Sequence, residues 1–425
     1  MPRIGSFSSQ AFAKVIAALP SNFQLLHILD NPTAYGTSAF DYFGSSIAIS
    51  GNYAIVGAYT EDDAGAGGGG QSGKAYIFNV TTGALVHTLD NPNAYSTSAD
   101  DRFGWSVSIS GNYAIVGAYL EDDAGGTTSG KAYIFNVITG ALLYTLDNPR
   151  LPAGNGTANN SFGYSVAISG NYAIAGSPEV SAPGYGSSGV AYIFDVTTGT
   201  LVHTLVNPNA YGTSLSDQFG RAVAISGNYA IVSAEYEDDA SGTSSGKAYI
   251  YNVTTGVLVH TLNNPNPYST SASDFFGVSV AISGNYAIVG AYWEDDAGGG
   301  RSGKAYIFNV TTGALLHTLN NPNAYDTSLN DYFGNSVAIS GNYAIVGAYL
   351  EDDSGGTGSG KAYIFNVTTG ALVNTLDNPN AYSTSANDNF GWSVAISGNY
   401  ANISARYEGD AGGTYSGKAY IYKLT

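Results

Sequence analysis

The stretch GNYAIVGAYTEDDAG, residues 51–65, decides the fold of this protein, because it returns along the whole chain. Near-identical copies begin at Gly111, Gly227, Gly284 and Gly341, and looser copies begin at Gly170 and Gly398. Each copy joins an apolar run to an acidic, glycine-rich tail. A length of 425 residues would ordinarily suggest two or three domains, but an internal repeat overrides that expectation.

The length of the repeat can be measured between Phe-Gly pairs. Their phenylalanines are Phe43, Phe103, Phe162, Phe219, Phe276, Phe333 and Phe390, so the spacings are 60, 59 and then four times 57 residues. Seven units of this length, each with several short strands, predict a propeller or an array of repeats.

Each unit contains four runs of strand length. In the second unit they are WSVSIS (105–110), NYAIVGAY (112–119), KAYIFNV (131–137) and ALLYTL (141–146). None has a helical period, and both alternating faces of 112–119 are apolar, which is typical of a strand buried on both sides. The SGN and TTG or ITG turns predict tight hairpins. We therefore expect the two longer connections of each unit to emerge together on the opposite face.

The two ends of the chain complete one unit. The last unit stops after its third strand, whereas residues 23–44 read as a copy of a fourth strand and the connection that follows it. Pairing of residues 23–29 with 418–424 is expected to close the ring. The candidate closure residues are Phe23, Leu25, Leu26, Ile28 and Leu29. The sequence thus predicts an all-β, seven-bladed β-propeller of four-stranded antiparallel blades, as one domain over residues 23–425.

The motifs FGxSVAIS, NYAIVGAY and GKAYIF together resemble the FG-GAP repeat of integrin α-subunit propellers and their bacterial relatives, with Gly-Ala-Tyr in place of Gly-Ala-Pro. The resemblance covers all seven units and implies the propeller fold, but it does not name a ligand. The family often has an Asp-rich calcium loop between the first and second strands. Here that loop is reduced to SGN, so calcium sites cannot be transferred to it.

The composition excludes several classes of function. The 32 acidic and 14 basic residues leave a net charge of −18, which argues against binding to nucleic acid through a basic surface. Cysteine is absent, which removes disulfides and thiolate chemistry. No apolar run is long enough to span a bilayer.

The acidic tails are candidates for calcium binding, because clustered carboxylates beside flexible turns can supply six to eight oxygen ligands. The alternative is a set of solvated turns whose aspartates cap the backbone. The candidate ligands are Glu61, Asp62, Asp63, Glu121, Asp122, Asp123, Glu237, Asp238, Asp239, Glu294, Asp295, Asp296, Glu351, Asp352 and Asp353. The lysines that open the third strands are expected to form weak, exposed ion pairs with these tails. Five histidines at one position of the fourth strand are expected to pack on the outside of the blades.

Sequons offer possible glycosylation sites, although asparagine and threonine are also the turn residues that the repeat copies. They begin at Asn79, Asn155, Asn159, Asn252, Asn309, Asn366 and Asn402.

Catalysis is not expected, since nearly every polar residue is one of five to seven copies whereas an active site is a unique constellation. Deviations from the repeat cluster in the third unit, at residues 150–161 and 177–186, which we interpret as a contact surface. Single deviations elsewhere look scattered. They are Arg221, Glu235, Arg301, Arg406, Trp105, Trp293 and Trp392.

Residues 1–22 lie outside the repeat and contain a possible amphipathic helix. Its apolar residues, which form a candidate assembly tail, are Phe12, Val15, Ile16 and Leu19. Two functions remain open. The first is a non-enzymatic extracellular structural protein that polymerises with itself into a filament or surface layer. The second is an adhesin or binding module for a surface glycan or protein, with or without calcium, that uses the acidic loop face.

Overall fold

The computed structural model describes residues 23–32, 40–61, 71–92, 100–122, 128–149, 159–180, 187–209, 216–238, 243–265, 273–295, 300–323, 330–352, 357–380, 386–409 and 414–424. Within these ranges the chain forms 28 β-strands arranged in seven four-stranded sheets. Every neighbouring pair of strands is antiparallel. The expected seven-bladed β-propeller is confirmed.

The strands follow in sets of four after a first strand, β1 (Phe23–Asp30). Blade 1 consists of β2 (Ser46–Ser50), β3 (Tyr53–Ala58), β4 (Lys74–Asn79) and β5 (Leu85–Asp90). Blade 2 consists of β6 (Ser106–Ser110), β7 (Tyr113–Ala118), β8 (Lys131–Asn136) and β9 (Leu142–Asp147). Blade 3 consists of β10 (Val166–Ser169), β11 (Tyr172–Ser177), β12 (Val190–Asp195) and β13 (Leu201–Val206). Blade 4 consists of β14 (Val223–Ser226), β15 (Tyr229–Ala234), β16 (Lys247–Asn252) and β17 (Leu258–Asn263).

The remaining blades repeat this pattern. Blade 5 consists of β18 (Val280–Ser283), β19 (Tyr286–Ala291), β20 (Lys304–Asn309) and β21 (Leu315–Asn320). Blade 6 consists of β22 (Val337–Ser340), β23 (Tyr343–Ala348), β24 (Lys361–Asn366) and β25 (Leu372–Asp377). Blade 7 consists of β26 (Phe390–Ser397), β27 (Tyr400–Ala405), β28 (Lys418–Leu424) and β1.

The core lies between the blades. Strand β7 is buried over five of its six residues, as two apolar faces require. One hydrophobic cluster joins Ile55 and Ile77 of blade 1 to Phe103 and Val107 of blade 2, and equivalent clusters join the other neighbours. Each blade therefore depends on the next one for burial of its apolar surface.

The glycine of Phe-Gly allows the blades to approach closely. A Cβ atom on Gly57 would lie 2.0 Å from the carbonyl oxygen of Gly104 in the next blade, and Gly104 itself has a φ of 90°. A larger residue would collide with backbone here, and the glycine of Phe-Gly is present in all seven units, so it is a packing requirement of the ring. The position of Gly57 is less strict, since blades 4 and 7 carry Ser233 and Ser404 there.

The ring is closed by its two termini, as expected. Strand β1 pairs with β28 in a register that places Phe23 opposite Leu424 and Leu29 opposite Ala419. Phe23 and Leu29 are buried. The other predicted closure residues, Leu25, Leu26 and Ile28, lie on this outer strand with 38–50% of their surface exposed, so the closure they provide comes from the backbone pairing of β1.

Candidate functional site

The glutamates of the acidic tails point into the protein. Glu121 is fully buried, and the Tyr133 hydroxyl donates to its carboxylate over 2.6 Å. The same hydrogen bond recurs for Glu61 with Tyr76, Glu237 with Tyr249, Glu294 with Tyr306, Glu351 with Tyr363 and Glu408 with Tyr420. A carboxylate that accepts a hydrogen bond from a tyrosine hydroxyl inside the blade is a structural group.

Five of the six lysines that open the third strands pair with the same glutamates. Lys131 lies 3.1 Å from Glu121, and the corresponding distances are 2.8 Å for Lys247 and Glu237 and 2.7 Å for Lys304 and Glu294. The lysine side chains of these pairs are only 11–14% exposed. The expectation of weak, exposed ion pairs is therefore wrong, because the sequence does not reveal that the partner glutamate is buried.

The first aspartates of four acidic tails cap their own loops. The backbone N–H of Thr128 donates to Asp122 over 2.7 Å, and Asp238, Asp295 and Asp352 accept in the same way from Ser244, Arg301 and Gly358. The remaining candidates, Asp62, Asp63, Asp123, Asp239, Asp296 and Asp353, lie outside the described residues. Among the residues that are described, no three metal-ligating side chains are placed to hold an ion.

The glutamates have protein partners in place of a metal ion. A carboxylate that already accepts from a tyrosine hydroxyl, and in most blades from a lysine, has fewer lone pairs left for a metal ion. The calcium expectation for Glu61, Glu121, Glu237, Glu294 and Glu351 stays a prediction, as it does for the aspartates.

A second set of buried carboxylates was not anticipated. Asp101, two residues before Phe103, accepts a hydrogen bond of 2.9 Å from Asn91, and the same pairing at ten-residue spacing recurs in five other blades. Burial, and then the charge of the neighbouring glutamate, raise the pKa of Asp101, Asp217, Asp274 and Asp331 to about 7. The constant spacing between Asn-Pro and Asp-x-Phe-Gly was the signal that could have revealed them.

The residue after each Phe-Gly lies at one mouth of the central channel, on the face of the two longer connections. Here a cavity of about 310 Å³ is lined from all seven blades. The seven equivalent residues are Ser45, Trp105, Tyr164, Arg221, Val278, Asn335 and Trp392. This position carries six residue types, as does the position just before each Phe-Gly pair, whereas the strands of the repeat hardly vary. We call this set the mouth residues.

The serines that follow the mouth residues have a structural role. The Ser46 hydroxyl accepts from the backbone N–H of Val107 in the next blade over 3.0 Å, and Ser106 and Ser336 accept in the same way from Val166 and Val394. These bonds tie neighbouring blades together along the channel wall. They explain why the residue beside each variable position hardly varies.

Aromatic rings surround the mouth in a nearly continuous series. The ring centroids of Tyr59 and Trp105 are 4.9 Å apart, those of Trp105 and Tyr164 are 5.5 Å apart, and those of Tyr349 and Trp392 are 4.8 Å apart. These are edge-on or tilted contacts within the favourable range. They hold the large side chains of blades 1, 2, 3, 6 and 7 in fixed orientations.

Every arginine within the described residues stacks on a ring of this face. Arg221 lies 4.6 Å from the Tyr164 ring centroid, and Arg406 lies 3.1 Å from that of Trp392. Arg102 stacks on Tyr59 and Arg301 on Trp293. The deviations that look scattered in the sequence are therefore gathered on one face, and Trp105, Arg221, Trp392 and Arg406 line one cavity.

A family comparison agrees with this architecture. The FG-GAP repeat model matches residues 33–78, 94–135, 147–194, 210–251, 267–308, 323–365 and 381–422. The chain belongs to the FG-GAP repeat family. No curated protein matches it.

FG-GAP propellers are modules of ligand binding and adhesion, are typically non-enzymatic, and are typical of extracellular or surface proteins. In this FG-GAP propeller, the part of the chain that the structure describes contains no helix suited to crossing a membrane.

The sequons of this FG-GAP propeller fall into three groups. Asn79, Asn252, Asn309 and Asn366 cap the TTG turns, since their side-chain oxygens accept from the two following threonine N–H groups. Asn159 is exposed and Asn155 lies outside the described residues. Asn402 is completely buried in β27, so it cannot carry a glycan in the folded protein. At the other sites glycosylation stays a prediction.

The histidines lie on the outer strands. The His27 ring nitrogen contacts the Thr81 carbonyl of the next blade at 2.9 Å, and His87, His203, His260 and His317 make the equivalent contact. The candidate tail residues Phe12, Val15, Ile16 and Leu19, and the divergent third-blade segments 150–158 and 181–186, lie outside the described residues.

Proposed function

We propose that this protein is a non-enzymatic, extracellular binding module that takes a glycan at the mouth of its central channel. The observation that carries the proposal is the variation of the mouth residues. Seven equivalent positions with six residue types turn a symmetric ring into one asymmetric cavity. Asymmetry of this kind serves recognition of a particular ligand, because the ring itself needs no such variation.

The polar groups of the mouth suit binding better than catalysis. The Arg221 guanidinium pairs with Glu235 at 3.1 Å, and the serines along the channel are used as acceptors between blades. A serine nucleophile also needs a neighbouring base, and none of the described residues that line the cavity is a histidine, aspartate or glutamate. Fixed ion pairs and stacked rings instead supply the preformed polar and apolar contacts of a ligand site.

The chemistry of the cavity favours a sugar. The C–H faces of a sugar ring pack on aromatic side chains such as Trp105 and Trp392, while its hydroxyl groups hydrogen-bond to Arg221 and Asn335. A cavity of about 310 Å³ lies at the small end of ligand sites and would take one or two sugar units. Because the channel mouth is open, the rest of a longer glycan would remain in solvent. The site therefore suits the terminal sugar of a surface glycan.

This proposal selects the binding module over self-assembly. The filament hypothesis depends on residues 1–22, which lie outside the described residues, and no described contact favours it. The binding face is the acidic loop face named by the sequence, but the binding groups are the mouth residues rather than the acidic tails.

The test is a glycan array probed with the full chain and two variants. Trp105→Ser introduces the residue that blade 1 already carries at the equivalent position, Ser45, so the fold is expected to persist. Ile138→Ser changes an exposed turn on the opposite face and serves as the control. We expect a defined set of glycans to bind, with loss of that binding in W105S alone. Equal binding by W105S, or binding by no glycan at all, would contradict the proposal.

A further inference from the structure

Two arginines line the cavity, and their surroundings differ. Glu235, 4% exposed, pairs with the Nε of Arg221 at 3.1 Å. Burial is the largest single influence and lowers the pKa of Arg221, but Glu235, nearby tyrosines and Glu179 together raise it by more, so its net shift is upward. This arginine enters the cavity wall as half of a neutral pair.

Arg406 has no such partner within the described residues. Its guanidinium lies over the rings of Trp392 and Tyr407 at 3.1 and 4.4 Å, and its Nη2 donates to the Tyr407 hydroxyl over 2.8 Å. Its Nε is buried and has no described hydrogen-bond partner. Burial lowers the pKa of Arg406, and the neighbours that oppose this shift are tyrosines rather than carboxylates.

A guanidinium group carries five N–H donors and keeps its charge in proteins. Arg406 lies in the cavity with one described side-chain hydrogen bond and no counter-ion in the described chain, so it has donors and charge to offer a ligand. In four other blades the equivalent residue is tyrosine, namely Tyr59, Tyr119, Tyr292 and Tyr349. The ring therefore does not need an arginine at this position.

We infer that the ligand of the channel mouth carries an oxyanion, a carboxylate or a sulfate ester, that pairs with Arg406 while its sugar ring packs beside Trp392. This inference rests on the proposed glycan site and narrows it to acidic sugars. Charge-assisted bonds of an oxyanion to guanidinium are short and roughly twice as strong as neutral ones. Glu235 is buried behind Arg221 and neutralises it, so within the described residues Arg406 is the arginine of the cavity that lacks a carboxylate partner.

The experiment measures calorimetric binding of three monosaccharides to the full chain: glucuronic acid, glucose 6-sulfate and glucose. The variant Arg406→Tyr introduces the tyrosine that four other blades carry at this position. The variant Arg301→Gln is its matched control, because Arg301 is also stacked on a tryptophan, at 4.1 Å, but does not line the cavity. We expect one or both acidic sugars to bind at least about tenfold more tightly than glucose, and R406Y but not R301Q to remove that preference.

The two acidic sugars distinguish a carboxylate ligand from a sulfate ester. A site for a carboxylate prefers glucuronic acid, and a site for a sulfate ester prefers glucose 6-sulfate. Equal binding of all three sugars, with loss of all three in W105S, would overturn the inference and leave the glycan site in place. Unchanged preference in R406Y would also overturn it. Absence of binding by any sugar, together with an empty glycan array, would overturn the inference and the proposed function together.

Discussion

Asn402 is the residue whose replacement should stabilise the propeller most clearly. It is completely buried in β27, and neither its Nδ2 nor its Oδ1 has a hydrogen-bond partner within the described residues. Its cross-strand neighbours, Ala395 and Ile421, belong to the cluster between blade 7 and blade 1, so Asn402 faces that cluster. Asn402 thus places an amide group in an otherwise apolar cluster between two blades.

The other six blades carry isoleucine at this position, and all six side chains are fully buried. They are Ile55, Ile115, Ile174, Ile231, Ile288 and Ile345. The surroundings are the same as well. Ile47 and Ile49 belong to the hydrophobic cluster that Asn402 faces, and the equivalent residues Val107 and Ile109 belong to the cluster that contains Ile55. Asn402→Ile should therefore fit without strain.

The gain can be estimated from the groups removed. A buried polar group without a partner costs about 1–3 kcal/mol, so replacing the amide by a packed isoleucine should stabilise the protein by about 2–5 kcal/mol. Unfolding entropy is about 2.1 cal/mol/K per residue near 60 °C, so for about 400 residues the melting temperature should rise by about 2–6 °C.

The measurement is calorimetric melting of protein made in a host that does not glycosylate, since Asn402 also begins a sequon. The reverse substitution at the neighbouring blade, Ile345→Asn, is the control and should lower the melting temperature. An unchanged or lower melting temperature of N402I, with the expected loss in I345N, would show that the Asn402 amide is satisfied in the folded protein and would refute the reasoning.

Three further perturbations test the ring, its carboxylates and calcium. Deleting residues 23–29 should destabilise the whole propeller, because β28 would then expose an unpaired edge; an unchanged melting temperature would refute closure by β1. The pKa of Asp331 is near 7 in the folded protein and about 4 when unfolded, so the folded state holds more protons between these values and stability should fall as pH rises from about 4 to 7. Asp331→Asn, which copies Asn160 of blade 3, should flatten that dependence in urea titrations at pH 5 and 8, and an identical profile would contradict it. If the aspartates outside the described residues bind calcium, millimolar Ca²⁺ should raise the melting temperature above that in EDTA, and by more than Mg²⁺ does; equal values would support solvated turns.

The fold could be predicted from the sequence because the information is repeated. Seven Phe-Gly pairs set the period of the repeat. In the second unit, the strand bounds differ from the predicted runs by no more than one residue at each end, as β7 (Tyr113–Ala118) shows for residues 112–119. The pairing of β1 with β28 followed from counting strands. Packing needs the same residues in every blade, so copies reinforce one another.

The candidate site could not be predicted for the opposite reason. Trp105, Arg221 and Trp392 are far apart in the chain, and each looks like a single deviation until the ring places equivalent positions around one channel. Burial was equally hidden: Glu121 and Asp122 are adjacent and both acidic, yet one lies inside the blade and the other caps a loop. In a closed repeat, the residues that match hold the ring together. The residues that differ at one shared position are free to vary, so they are where recognition of a ligand should be sought.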